Sequence, residues 1–125
     1  MLKAKIKPDE VTYQCLIDGY VTYNDLEKAK ELFKNQFKIK KTKENRVSVI
    51  DCHSYSHGTA FVQILLYVET HKEPFYAITG KGKHSKHNVL DEMAKYILKK
   101  AHLLNGWTIE RDPYNLGRLK FIISK

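Results

Sequence analysis

Apolar side chains change their spacing along this chain, and the changes divide it into segments. Between residues 10 and 37 they recur with a helical period. Val11, Tyr13, Leu16, Ile17, Tyr20 and Val21 form one stripe, with Pro8 and Asp9 as start signals. After a break at "TYN", Leu26, Ala29, Phe33 and Phe37 form a second stripe. Asn24 is the expected cap of this second helix, because Glu27 stands three residues on as in a capping box. Residues 1–37 therefore read as a helical hairpin, and residues 38–45, "KIKKTKEN", as a basic linker, solvated in the favoured reading and a source of extra phosphate contact in the other.

From residue 46 to 125 the period alternates between strand and helix. "RVSVID" reads as a strand, "SHGTAFVQILLYVETH" as a helix and "PFYAITG" as a second strand. A glycine-lysine loop follows, then a helix over "NVLDEMAKYILKKAHLLN" with Val89, Met93, Ile97, Ala101 and Leu104 along one stripe, and last the strands "WTIERD" and "RLKFIIS". The order β-α-β-α-β-β predicts a two-layer α/β sandwich with a four-stranded mixed sheet. Its first two strands should be parallel neighbours joined by a right-handed crossover. Cys52 and Trp107 are expected in the core.

Parallel neighbours end on the same edge of a sheet, and ligands of open α/β sheets lie beyond that edge. Strand one ends at "DCH" and strand two at "TGKGKHS", so the two polar clusters should meet there. Asp51 and His53 share a face if the extended backbone continues. Gly80 and Gly82 let a backbone approach a ligand closely, Lys81, Lys83 and Lys86 add charge, and helix amino ends attract anions. A phosphate is the expected occupant. Zinc on Cys52, His53, His57 and His84 is not expected, because neither C-x-x-C nor H-E-x-x-H occurs, and Asp51 alone is a thin supply of carboxylate for magnesium. The site residues carry no metal in this reading.

"EVTYQCLIDGYVTYNDLEKAKELFKNQ" resembles a pentatricopeptide repeat, and "MLKAKIKPD" resembles the tail of a preceding one. A single such unit cannot cover its own apolar face. Either residues 1–37 pack on the rest of the chain, or upstream repeats absent from it complete the array. The resemblance implies that Gln14, at the fifth position of the repeat, contacts an RNA base; packing or protein docking by the hairpin is the other reading. "IDCHSYSHGTA", "ITGKGKHS" and "NLGRLKFIIS" together resemble the Smr (small MutS-related) domain, over residues 46–125. That resemblance implies an α/β sandwich that binds nucleic acid, with nicking or RNA endonuclease activity. Asp51 and His53 match its first motif, Gly80, Gly82 and His84 its loop, and Gly117 the turn before its last strand. Cys52 stands where leucine is usual, and Ser54 where glycine is usual.

Phosphodiester cleavage needs a base, an acid and positive charge for the developing oxyanion. The expected assignment gives proton transfer to His53 and His84, orientation of His53 to Asp51, and phosphate contact to Gly80, Lys81, Gly82, Lys83, Ser85 and Lys86. His57, Arg118 and Arg111 are further contact candidates, and Tyr114 could stack on a base. A 2'-hydroxyl nucleophile makes a cofactor unnecessary, with magnesium or manganese at most stimulating. The alternative is a non-catalytic RNA- or DNA-binding module whose helical repeat docks RNA or protein.

Composition bounds the rest. The chain has 125 residues, of which 42% are hydrophobic, which suffices for one modest core and excludes a large multidomain enzyme. A formal charge of +8 favours a polyanionic partner, nucleic acid or an acidic membrane surface. The motifs favour nucleic acid, RNA before DNA, and "FVQILLYV" is too short for a bilayer span. Two cysteines far apart suggest reduced thiols in a cytoplasmic or organellar compartment, and no targeting signal is read.

Overall fold

The computed structural model describes residues 10–44, 46–52, 55–79, 89–112 and 118–123. The predicted hairpin is present as α1 (Glu10–Thr22) and α2 (Leu26–Gln36). Asp25, not Asn24, caps α2: its carboxylate accepts from the Lys28 amide at 3.4 Å. Asn24 instead takes the turn position itself, with φ at 61°, a left-handed conformation that asparagine tolerates better than most residues. Of the α1 stripe, Ile17 and Val21 are buried, while Val11 and Leu16 remain 67% and 47% exposed.

Segment 38–45 is not only a linker. Within it lies β1 (Lys41–Glu44), an edge strand antiparallel to β2 (Val47–Asp51), with Lys41 opposite Ile50 and Glu44 opposite Val47. Then come α3 (His57–Thr70), β3 (Phe75–Ile78), α4 (Val89–Lys99), a 3-10 turn (Ala101–Leu103), β4 (Trp107–Arg111) and β5 (Arg118–Ile123). The sheet thus has five strands in the order β1-β2-β3-β5-β4, not four. β2 and β3 are parallel, as the crossover required, and all other pairs are antiparallel. The second predicted helix stops at Lys99, with Leu104 still buried beyond the 3-10 turn.

The layering also differs from the expected sandwich. Every residue of α3 from Gly58 to Val68 is buried. A helix apolar on all sides must be covered on all sides. One side meets the sheet, where the Tyr67 and Phe75 rings pack edge-on at 4.8 Å. On the other side lies the hairpin, so Ile17, Val21, Ala29 and Phe33 belong to the same buried cluster as Phe75, Leu119 and Phe121. The result is sheet, then α3 with α4, then hairpin. Of the alternatives for the hairpin's apolar face, packing on the rest of the chain is the one realised. Trp107 is half-buried, its ring edge-on to Phe75 at 5.3 Å.

Gln63, the polar interruption in the apolar run of α3, is fully buried and joins three segments. Its Oε1 accepts from the Lys40 amide at 2.6 Å, and its Nε2 donates to the Asp51 carbonyl at 3.2 Å. The Asp51 amide in turn donates to the Lys40 carbonyl at 2.8 Å. Gln63→Leu keeps the volume but strands a donor and an acceptor. Chemical denaturation should show a loss of roughly 1–3 kcal/mol, with the strand junction at Lys40 and Asp51 exchanging faster.

Candidate functional site

The register across the sheet fixes what its carboxyl edge carries. Asp51 closes β2 opposite Ile78 at the end of β3, and Ile78 lies opposite Arg118, the first residue of β5. The Cys52 amide donates to the Ile78 carbonyl at 2.8 Å, so the parallel ladder runs to the last residue before the predicted motif histidine. The chain leaves two adjacent strands at one place, through Cys52 on one and buried Thr79 on the other. His53, Ser54, Gly80, Lys81, Gly82, Lys83, His84, Ser85 and Lys86, with Tyr114 and Gly117, lie outside the described residues.

Among the described candidates, Asp51 is half-buried at the strand end. Cys52 points the opposite way and is fully buried; burial first, then the Asp51 charge, push its thiol up to about 12. A neutral thiol in that position is neither nucleophile nor metal ligand. Among the described residues no group of three or more His, Cys, Asp and Glu is arranged to hold a metal.

Arg118 reaches this edge but is engaged by carboxylates. Its Nε donates to Asp112 Oδ2 at 2.8 Å and its NH2 lies 2.8 Å from the same oxygen, while NH1 is 3.3 Å from Glu44 Oε1. The guanidinium also sits 4.4 Å over the Tyr76 ring. Two carboxylates neutralise this cation locally, which weakens its attraction for a phosphate. Arg111, on the neighbouring β4, is half-buried and stands opposite Leu119.

The amino end of α3 is held from an unexpected side. Ser56 caps the helix, its Oγ accepting from the Thr59 amide at 3.4 Å and donating to Asp18 Oδ1 of α1 at 2.7 Å. The Ser56 amide donates to Gln14 Oε1. Gln14 and Asp18 are four apart, hence on one face of α1. A protein carboxylate thus occupies the region where the helix dipole would attract an anion. Gly58 makes the approach feasible: a Cβ there would overlap the Asp18 carboxylate and lie 2.9 Å from the Asp18 Cα. His57 is half-buried and packs its ring 5.4 Å from that of Tyr96. Burial, then the Asp18 charge, push the Tyr96 hydroxyl up to about 12, so it stays neutral.

Sequence reasoning anticipated the paired strand ends, with Asp51 closing β2, but missed Asp18, Ser56 and Gly58 at the start of α3 and Gln63 at the junction of Lys40 with Asp51. A signal for the clamp existed in the spacing of Gln14 and Asp18, two polar residues four apart and so on one side of α1.

Comparison with known families matches residues 4–35 to the PPR repeat. There is no match to a Smr domain over the rest. No curated protein matches the chain. Among the described residues, no helix is long and apolar enough to cross a membrane.

Proposed function

We propose that this chain binds RNA and cleaves its phosphodiester backbone at the carboxyl edge of the sheet. His53 and His84 exchange protons with the substrate, Asp51 orients His53, and Gly80, Lys81, Gly82, Lys83, Ser85 and Lys86 contact phosphate. The single observation that supports this most is the parallel β2–β3 ladder, which sends the segments carrying the two histidines out from adjacent strand ends. The PPR match over residues 4–35 supports RNA as the nucleic acid.

In the proposed reaction one histidine takes the proton of a ribose 2'-hydroxyl, whose oxygen bonds to phosphorus. The bond from phosphorus to the 5'-oxygen breaks, and the other histidine gives that oxygen its proton. A 2',3'-cyclic phosphate and a 5'-hydroxyl remain, so no metal or cofactor is needed. Histidine suits both roles because its pKa lies near working pH. His57 and Arg118, each already packed against its own neighbours, are assigned only secondary phosphate contacts. An RNA contact by Gln14 would require its carboxamide to share or leave the Ser56 amide.

The test is cleavage of labelled RNA in excess chelator, with His53→Ala and His84→Ala alongside. Each variant should lose about 10²–10⁴-fold in rate while RNA affinity changes little. Undiminished cutting by both variants would refute the assignment, and an absolute need for a divalent ion would refute the route. RNA binding without cleavage, restored to cutting by Ser54→Gly, would replace it with a non-catalytic binding module.

A further inference from the structure

The segment read as a linker is a built surface. Residues 38–46 carry five cations, Lys38, Lys40, Lys41, Lys43 and Arg46, against one acid, Glu44. Three contacts hold its first half in place: the Tyr55 hydroxyl donates to the Lys38 carbonyl at 2.9 Å, and the Lys40 amide and carbonyl bond to Gln63 and Asp51. The second half is β1, all four residues of it exposed, on the edge of the sheet. Alternation along β1 puts Lys41 and Lys43 on one face and Glu44 on the other, where Glu44 meets Arg118. The acid is therefore turned away from the lysines. Among the described residues no carboxylate pairs with Lys38, Lys41 or Lys43. The strand begins beside Asp51, since Lys41 lies opposite Ile50.

We infer that the β1 edge, with Lys38, Lys41 and Lys43 as its contacts, is a binding surface for the phosphate backbone of an RNA strand passing the carboxyl edge. The inference rests on RNA as the partner in the proposed function, but not on cleavage. Fixed backbone distinguishes this ridge from a solvated linker: cations on an ordered strand lose less freedom on binding than cations on a loose chain. Lysines also blunt free sheet edges against self-pairing, and that role makes a different prediction.

The full chain is titrated with a labelled, unstructured RNA between about 50 and 200 mM salt. Lys41→Gln/Lys43→Gln should weaken binding roughly ten- to thirtyfold near 0.1 M and lower the salt slope by about 1.4, for two lost phosphate contacts. Lys41→Glu/Lys43→Glu should weaken it further. The glutamate variant still carries charges that block edge pairing, so if the lysines only protect the edge it binds RNA like the parent. Unchanged affinity and slope in both variants overturns the inference even where the parent binds and cuts RNA. Retained lysine dependence in a parent that never cuts leaves it standing and removes the nuclease reading. A parent that binds anionic vesicles through these lysines, and not RNA, overturns it as well.

Discussion

A chain begun at residue 38 is expected to lose its cooperative fold. The hairpin that it lacks supplies Ile17, Val21, Ala29 and Phe33, all buried, to the core that also contains Phe75 and Phe121. Burying a large apolar side chain contributes about 1.5–3 kcal/mol, and the α3 residues beneath the hairpin would be uncovered at the same time. The combined loss reaches the whole stability of an ordinary domain, roughly 5–15 kcal/mol. Size-exclusion chromatography and thermal melts of residues 38–125 should show aggregate or a broad, non-cooperative transition. A soluble monomer melting as sharply as the full chain would mean that the hairpin is an appendage after all.

Gly58→Ala is expected to destabilise the protein by about 2 kcal/mol, although alanine favours a helix by roughly 0.5–1 kcal/mol. The new methyl group would overlap the Asp18 carboxylate and crowd the Asp18 Cα at 2.9 Å, so α1 must move as a body. Movement of α1 also breaks the Asp18–Ser56 bond at the cap of α3, worth about 1 kcal/mol. Gly19→Ala provides the control, because a Cβ there meets nothing within 4 Å. It should stabilise by up to about 1 kcal/mol through helix propensity alone. Urea titrations of both variants check the opposite signs; equal shifts in one direction would mean that α1 does not press on α3 at Gly58.

The helices and most strands were legible because their periods are clean, and the parallel β2–β3 pair followed from topology. Three features were not read, for different reasons. β1 has no apolar pattern, since its four exposed residues owe their strand form to pairing with β2 and to Gln63 holding Lys40. Local sequence carries little of that information. The third layer was left as one of two alternatives, although "HGTAFVQILLYV" is apolar around the whole helix, which already demands a second covering surface. The cap shift from Asn24 to Asp25 follows from turn geometry, a left-handed residue that the capping box pattern does not describe. Of the candidate site, the strand register was legible in outline. The competing uses of its polar groups were not, because Arg118 meets Glu44 and Gln14 meets Ser56 only through tertiary packing.

The position of α3 between two layers also orders assembly. The hairpin precedes α3 in the chain and buries Phe33 and Ile17 in the core that α3 completes, and β2 cannot pair with β3 until the chain has passed through α3. Both layers wait on the same helix. During synthesis Ile17 and Phe33 lack their α3 partners, and α3 then lacks Phe75 and Phe121, until the segments that carry them have emerged, so each layer is open to wrong partners in turn.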